Sequence, residues 1–201
     1  MRFKAIGYRV IVETKKSRKQ TEGGIDLPEI SQEREAYATA RGVITDVGKD
    51  AWVGFDDNEP WAYIGDNVIF SKHAGVIVYS EDGTMYRIMN DKDILAVDFG
   101  DRGGLLAAGH RVLVRPEKVD EKTEGGIFIP DQVRDRHMLA KTVGTLVHAG
   151  PQAWRGIGNG EPWAEIGDTV HYHQYGGFVV DDEHGQLRIL EDEDLIASVR
   201  L

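Results

Sequence analysis

His171 and His173 are the side chains best spaced for metal chemistry. At i and i+2 of a strand, two imidazoles fall on one face and could share an ion. No carboxylate flanks them closely, so ordinary strand or surface histidines are the better reading and no metal is expected. His73, His110, His137, His148 and His184 are scattered, without a triad partner at a recognisable spacing. The chain has no cysteine, which removes thiolate nucleophiles, disulfides and Cys-ligated metals together. The glycine run Gly156-Ile157-Gly158-Asn159-Gly160 leads into Glu161-Pro162. No helix N-terminus follows to hold a phosphate, so a nucleotide site is not expected. These residues argue against an enzyme.

A different pattern suits docking. Thr14 to Gln20 is polar and mostly basic. Gly23-Gly24 follows, then Ile25 and Leu27 around Asp26, closed by Pro28. Further along, Glu117 to Glu124 leads to Gly125-Gly126, Ile127-Phe128-Ile129 and Pro130. A long polar loop buries too little apolar area to offset its ordering entropy, so both segments are expected to be mobile. A short apolar tag on such a loop suits insertion into another protein's groove. The competing reading folds Ile25 and Leu27 back onto their own domain. Two copies that keep the double glycine, the isoleucine and the proline argue for the tag.

The elements that position these tags come in two copies. Gly7-Tyr8-Arg9-Val10-Ile11-Val12 returns as Gly109-His110-Arg111-Val112-Leu113-Val114. Glu59-Pro60-Trp61-Ala62 returns as Glu161-Pro162-Trp163-Ala164, also 102 positions on. After Gly83 the offset falls to 101, so Asp93-Ile94-Leu95-Ala96 matches Asp194-Leu195-Ile196-Ala197. A repeat of this length is a duplicated domain rather than a solenoid unit. The domains are expected at 1–100 and 101–201, joined by a flexible Gly100 to Gly104 segment short enough to keep them adjacent.

Within each copy the pattern is β. Tyr8, Val10 and Val12 alternate with Arg9, Ile11 and Glu13. Gly42 to Val47, Val68 to Phe70, Val76 to Tyr79, Tyr86 to Met89 and Ile94 to Val97 are further strand-like runs, punctuated by glycine turns. Gln32 to Ala40 contains helix formers without an apolar stripe. The fold class expected is all-β, with two small barrels. The net charge of −10 opposes binding to a phosphate backbone, so nucleic acid is not an expected partner. No run approaches the ~18 apolar residues of a membrane span.

The order and spacing of these pieces resemble the GroES/Cpn10 co-chaperonins, twice over. The resemblance rests on Arg9-Val10-Ile11-Val12, Gly23-Gly24-Ile25-Asp26-Leu27-Pro28 and Gly42-Val43-Ile44-Thr45-Asp46-Val47-Gly48. Gly65-Asp66-Asn67-Val68-Ile69-Phe70, Ser71-Lys72-His73-Ala74-Gly75 and Asp93-Ile94-Leu95-Ala96 continue it. It implies tandem GroES-like barrels that assemble into a ring and cap a GroEL-type chaperonin, with client proteins folding in the cage. It also implies that the partner binds the ATP, so this chain needs no cofactor. On this resemblance the chaperonin-binding residues are Gly23, Gly24, Ile25, Asp26 and Leu27, with Gly125, Gly126, Ile127, Phe128 and Ile129. Asp26 stands where the family usually has an apolar residue.

Two domains per chain exclude a seven-domain ring with every domain in it. The expected homo-oligomer is therefore a ring of three or four chains. Fused pairs resemble the chloroplast type, yet no transit peptide is legible, so a cytoplasmic setting in a bacterial or phage-infected cell is expected. Trp52, Trp61, Trp154 and Trp163 fall where the family has its roof hairpin, and are expected in core or roof packing. Zinc-dependent alcohol dehydrogenases also contain a GroES-like domain, but they need a dinucleotide-binding domain that this sequence lacks. The main rival is a structural protein, such as a phage particle component, that reuses the barrel.

Overall fold

The computed structural model describes residues 3–14, 39–54, 59–100, 103–117 and 141–199. The chain divides into two compact units, Met1–Gly109 and His110–Leu201. All regular structure among the described residues is β, apart from two 3-10 turns.

The first unit holds β1 (Arg9–Thr14), β2 (Thr39–Val47), β3 (Asn67–Ser71), β4 (Val76–Tyr79), β5 (Met85–Asn90), β6 (Ile94–Asp98) and β7 (Leu105–Ala107). They form one sheet in the order β4-β5-β1-β2-β3-β6-β7, antiparallel at every step. The alternation in β1 sends Val10 and Val12 into a core with Ile44, Val68, Phe70, Met89 and Ile94. Bulges between Ile11 and Val12 and between Ile69 and Phe70 bend the strands. The bend curls the sheet around that core, while Ile11 and Ile69 are buried as well. The sheet remains open, with β4 and β7 as its edges.

The second unit repeats this plan with β8 (Arg111–Pro116), β9 (Val143–Ala149), β10 (Thr169–Tyr172), β11 (Phe178–Asp182), β12 (Gly185–Glu191) and β13 (Leu195–Val199). The order is β11-β12-β8-β9-β10-β13, matching the first sheet with no counterpart of β7 among the described residues. Val112, Val114, Leu146, Trp154, Val170, Tyr172 and Leu190 form its core.

The glycine-rich join is a hairpin turn. Phe99 N–H donates to Gly104 O at 2.9 Å, and Gly104 N–H donates to Gly100 O at 2.8 Å. Left-handed φ angles of 54° and 68° at Gly100 and Gly104 make the turn possible. The glycines therefore return the chain so that β7 pairs onto β6. Of Gln32 to Ala40, Thr39 and Ala40 begin β2, and the remainder lies outside the described residues.

Two buried features recur in both units. Trp52 and Trp154 are core residues held at φ of 58° and 62°, a region costly for a bulky side chain. A buried carboxylate secures each: Trp52 N–H donates to Asp91 Oδ2 at 2.6 Å, and Trp154 N–H to Asp192 Oδ2 at 2.5 Å. Arg87 lies over the Phe70 ring and donates to Ala74 O. Arg188, fully buried, lies over Tyr172 and donates to Gln174 O and Gly176 O. Each arginine thus ties the turn between the third and fourth strands of its unit to the core.

Candidate functional site

The residues expected to form the docking tags, Gly23, Gly24, Ile25, Asp26 and Leu27 with Gly125, Gly126, Ile127, Phe128 and Ile129, lie outside the described residues. The strands that launch them are described, and they match. In the first unit β1 ends at Thr14 and β2 begins at Thr39, with Thr14 opposite Gly42 and Glu13 opposite Val43. In the second, Pro116 lies opposite Gly144, and Glu117 N–H donates to Val143 O at 3.1 Å. Each loop therefore leaves and returns at the same end of an antiparallel pair. A Cβ at Gly42 would stand 2.4 Å from Glu13 O, and one at Gly144 would stand 2.4 Å from Arg115 O. Glycine lets the two strands close at the base of both loops.

Ion pairs stiffen the second base. Arg115 grips Asp182 through two nitrogens, at 3.1 and 2.6 Å. That hydrogen bond holds the Asp182 carboxyl below the usual carboxylate range. Lys141 and Glu117, at the two ends of the loop, approach to 3.4 Å.

The tryptophans divide into two kinds. Trp52 and Trp154 are buried, and Trp61 packs against the first core at 6.4 Å from the Trp52 ring. Trp163, the counterpart of Trp61, is 43% exposed beside β13. There it borders a groove of about 280 Å³ with Ala164, Val170 and Leu195–Ser198. The repeat pairs Trp61 with Trp163, and only the structure reveals that one is covered and the other open.

His171 sits on β10 opposite Ala197 and Val143, and among the described residues no group of three potential ligands surrounds a metal position. Gly156, Gly158 and Gly160 take left-handed φ angles in successive turns. His110 Nδ1 lies 2.9 Å from Gln152 O. His148 stands where the first unit has Asp46, and burial lowers its pKa from the ordinary 6.5. The folded chain favours the neutral ring, so the unfolded chain takes up the proton first as pH falls. Stability is then complete above about pH 6.5 and declines as pH drops from there through the lowered folded value. Thermal melts between pH 8 and pH 5 should show this loss for the second unit, and His148→Gln should flatten it.

Known proteins place the chain. The model of the chaperonin 10 kDa subunit matches residues 2–98 and again 105–199. The 20 kDa chloroplastic chaperonin of Arabidopsis thaliana is 28% identical over 177 residues, covering 87% of this chain. That of Spinacia oleracea is 29% identical over the same length. The alignments span 66% of each of these relatives, just under two thirds of their length. Co-chaperonin GroES 1 of Rhodopirellula baltica is 34% identical over 90 residues, covering 44% of this chain and 85% of that protein. With two all-β units that each reproduce the same strand order and loop base, the chain belongs to the chaperonin 10 kDa (Cpn10, GroES-like) family and carries its domain twice.

Proposed function

We propose that this chain is a co-chaperonin that caps a GroEL-type chaperonin ring and assists ATP-dependent folding of client proteins in the cage. The observation that carries the reading is the doubled family match, each half holding a Gly-Gly-Ile…Pro tag between its first two long strands. The docking residues are Ile25 and Leu27, with Gly23, Gly24 and Asp26, in the first tag. In the second they are Ile127, Phe128 and Ile129, with Gly125 and Gly126. The partner binds the ATP. Three or four chains close a ring of six or eight domains, because a closed ring of two-domain chains holds an even number. The same strand register at both loop bases, Thr14 opposite Gly42 and Pro116 opposite Gly144, supports presentation of both tags.

The test is retention on an immobilised GroEL-type chaperonin with ATP, with ADP and without nucleotide, alongside native mass spectrometry of the free protein. The expected result is nucleotide-dependent retention and a mass of three or four chains. Retention indifferent to nucleotide counts against capping. A seven-chain assembly, or a monomer at micromolar concentration, counts against the ring.

A further inference from the structure

The glycine run Gly156-Ile157-Gly158-Asn159-Gly160 has no task in the docking loops, and only Ile157 packs against the second core. It holds the one Asn-Gly step in the chain. Of the other asparagines, Asn58 precedes Glu59, Asn67 precedes the β-branched Val68 at the start of β3, and Asn90 precedes Asp91. The side-chain carbonyl of an asparagine can be attacked by the backbone nitrogen of the next residue, and a side chain on that residue crowds the attack. Glycine has none. Asn159 and Gly160 are both exposed, and a Cβ built on Gly160 would meet nothing within 4 Å. Solvent and open space therefore surround the reacting atoms.

Hydrogen bonds restrain the pair. Gly160 N–H donates to Ile157 O at 2.9 Å and closes the turn, with Gly160 at a left-handed φ of 78°. Asn159 Nδ2 donates to Glu161 Oε2 at 2.8 Å, and Glu161 N–H donates to Asn159 Oδ1 at 3.3 Å. All of these lie at the surface, so they open in local fluctuations without unfolding of the unit. Glu161 leads directly into Pro162 and Trp163, and a Cβ on Gly158 would stand 3.8 Å from Trp163 Nε1.

We propose that Asn159 is a self-modification site, at which the Gly160 nitrogen displaces the side-chain amide and the product opens the turn. The Gly160 nitrogen loses its proton to hydroxide and bonds to Asn159 Cγ. The Cγ–Nδ2 bond breaks, and that nitrogen leaves as ammonia. Water then opens the cyclic imide at either carbonyl, leaving aspartate or isoaspartate at position 159. Nothing is oxidised or reduced. Either product sets a carboxylate oxygen where Nδ2 donated to Glu161, so an attraction becomes a repulsion between like charges. Isoaspartate also adds a backbone carbon to a turn that a single 2.9 Å bond closes. The repeat pairs Asn159 with Asp57, so the first copy carries an acid at this position from the start. The reaction is independent of chaperonin binding.

The test is to hold the full-length protein at neutral and at alkaline pH and follow it by peptide mapping in a mass spectrometer. The Asn159 peptide should exchange amide for acid before the peptides that carry Asn67 and Asn90, and faster at alkaline pH. Isoaspartate, detected by enzymatic methylation, should accompany aspartate. Gly160→Ala should slow the conversion at least about tenfold, because the new Cβ crowds the attacking nitrogen. Glu161→Ala should speed it several-fold, because it releases the amide. In Asn159→Asp, which carries the acid product, the Gly160 amide hydrogen should exchange faster than in the wild type. Conversion at Asn159 no faster than at Asn67, an unchanged rate in Gly160→Ala or Glu161→Ala, or aspartate without isoaspartate overturns the site. Unchanged exchange at Gly160 in Asn159→Asp overturns the opening of the turn.

Discussion

Trp154→Ala is expected to destabilise the second unit by about 3–5 kcal/mol, and Trp52→Ala the first unit by a similar amount, the range for emptying a buried Trp site. Each indole fills the centre of its core beside the first, second and third long strands of the unit. Small domains are held by only about 5–15 kcal/mol, so either change removes a large share of that margin. Alanine keeps the backbone N–H, so the bonds to Asp91 or Asp192 survive and the loss reports packing. Asp192→Ala tests the other component. It strands the buried N–H of Trp154, and it also removes the acceptor of the exposed Glu193, whose N–H donates to Asp192 Oδ1 at 2.9 Å. An unsatisfied buried donor costs roughly 1–3 kcal/mol. Trp154→Phe should lose less than alanine, since the indole Nε1 has no partner among the described residues and phenylalanine leaves none to satisfy. Urea unfolding followed by circular dichroism, with one transition resolved for each unit, measures all four. A loss below about 1 kcal/mol for Trp154→Ala would show that packing of the indole does not hold this segment.

The strands were legible because their signal is local. Alternation in Arg9–Thr14 and short β-branched runs bounded by glycine place β1, β4 and β6 within a residue or two of where they lie. The duplication was legible as well, since a fixed offset survives wherever both copies keep the same structural need. What escaped the sequence depends on contacts between distant positions. Nothing local marks Asp91 and Asp192, and only their distance to Trp52 N and Trp154 N gives them a structural task. Gly100 and Gly104 read as a flexible join, because a turn that closes a hairpin uses the same glycines as a linker. Leu105–Ala108 falls within the expected second domain, 101–201, and its backbone pairs with β6 of the first sheet.

Phe128→Asp is expected to weaken the proposed chaperonin binding by more than 100-fold per tag, while Asp26→Val strengthens it by no more than about tenfold. The asymmetry follows from what each tag can bury. The second offers Ile127, Phe128 and Ile129 in succession, and the first offers Ile25 and Leu27 around a carboxylate. Burying one large apolar side chain is worth about 1.5–3 kcal/mol, and removing Phe128 forfeits it. The aspartate put in its place must also be desolvated, protonated or drawn out to the rim of the groove, a further cost of at least about 1 kcal/mol. Together these reach roughly 3 kcal/mol, and each 1.4 kcal/mol is a factor of ten. Asp26 occupies the same tag position as Phe128. A carboxylate there stays hydrated at the rim of the groove, so Asp26→Val relieves no desolvation cost and gains only part of one valine's burial, at most about 1.4 kcal/mol. In the proposed ring of several chains the second-unit tags act together, and a loss at each one compounds through avidity. Competition of each variant against labelled wild type for a limiting amount of chaperonin, in ATP, measures both effects. Unchanged binding by Phe128→Asp would remove the second tag from the interface, and a larger effect from Asp26→Val than from Phe128→Asp would reverse the ranking of the two tags.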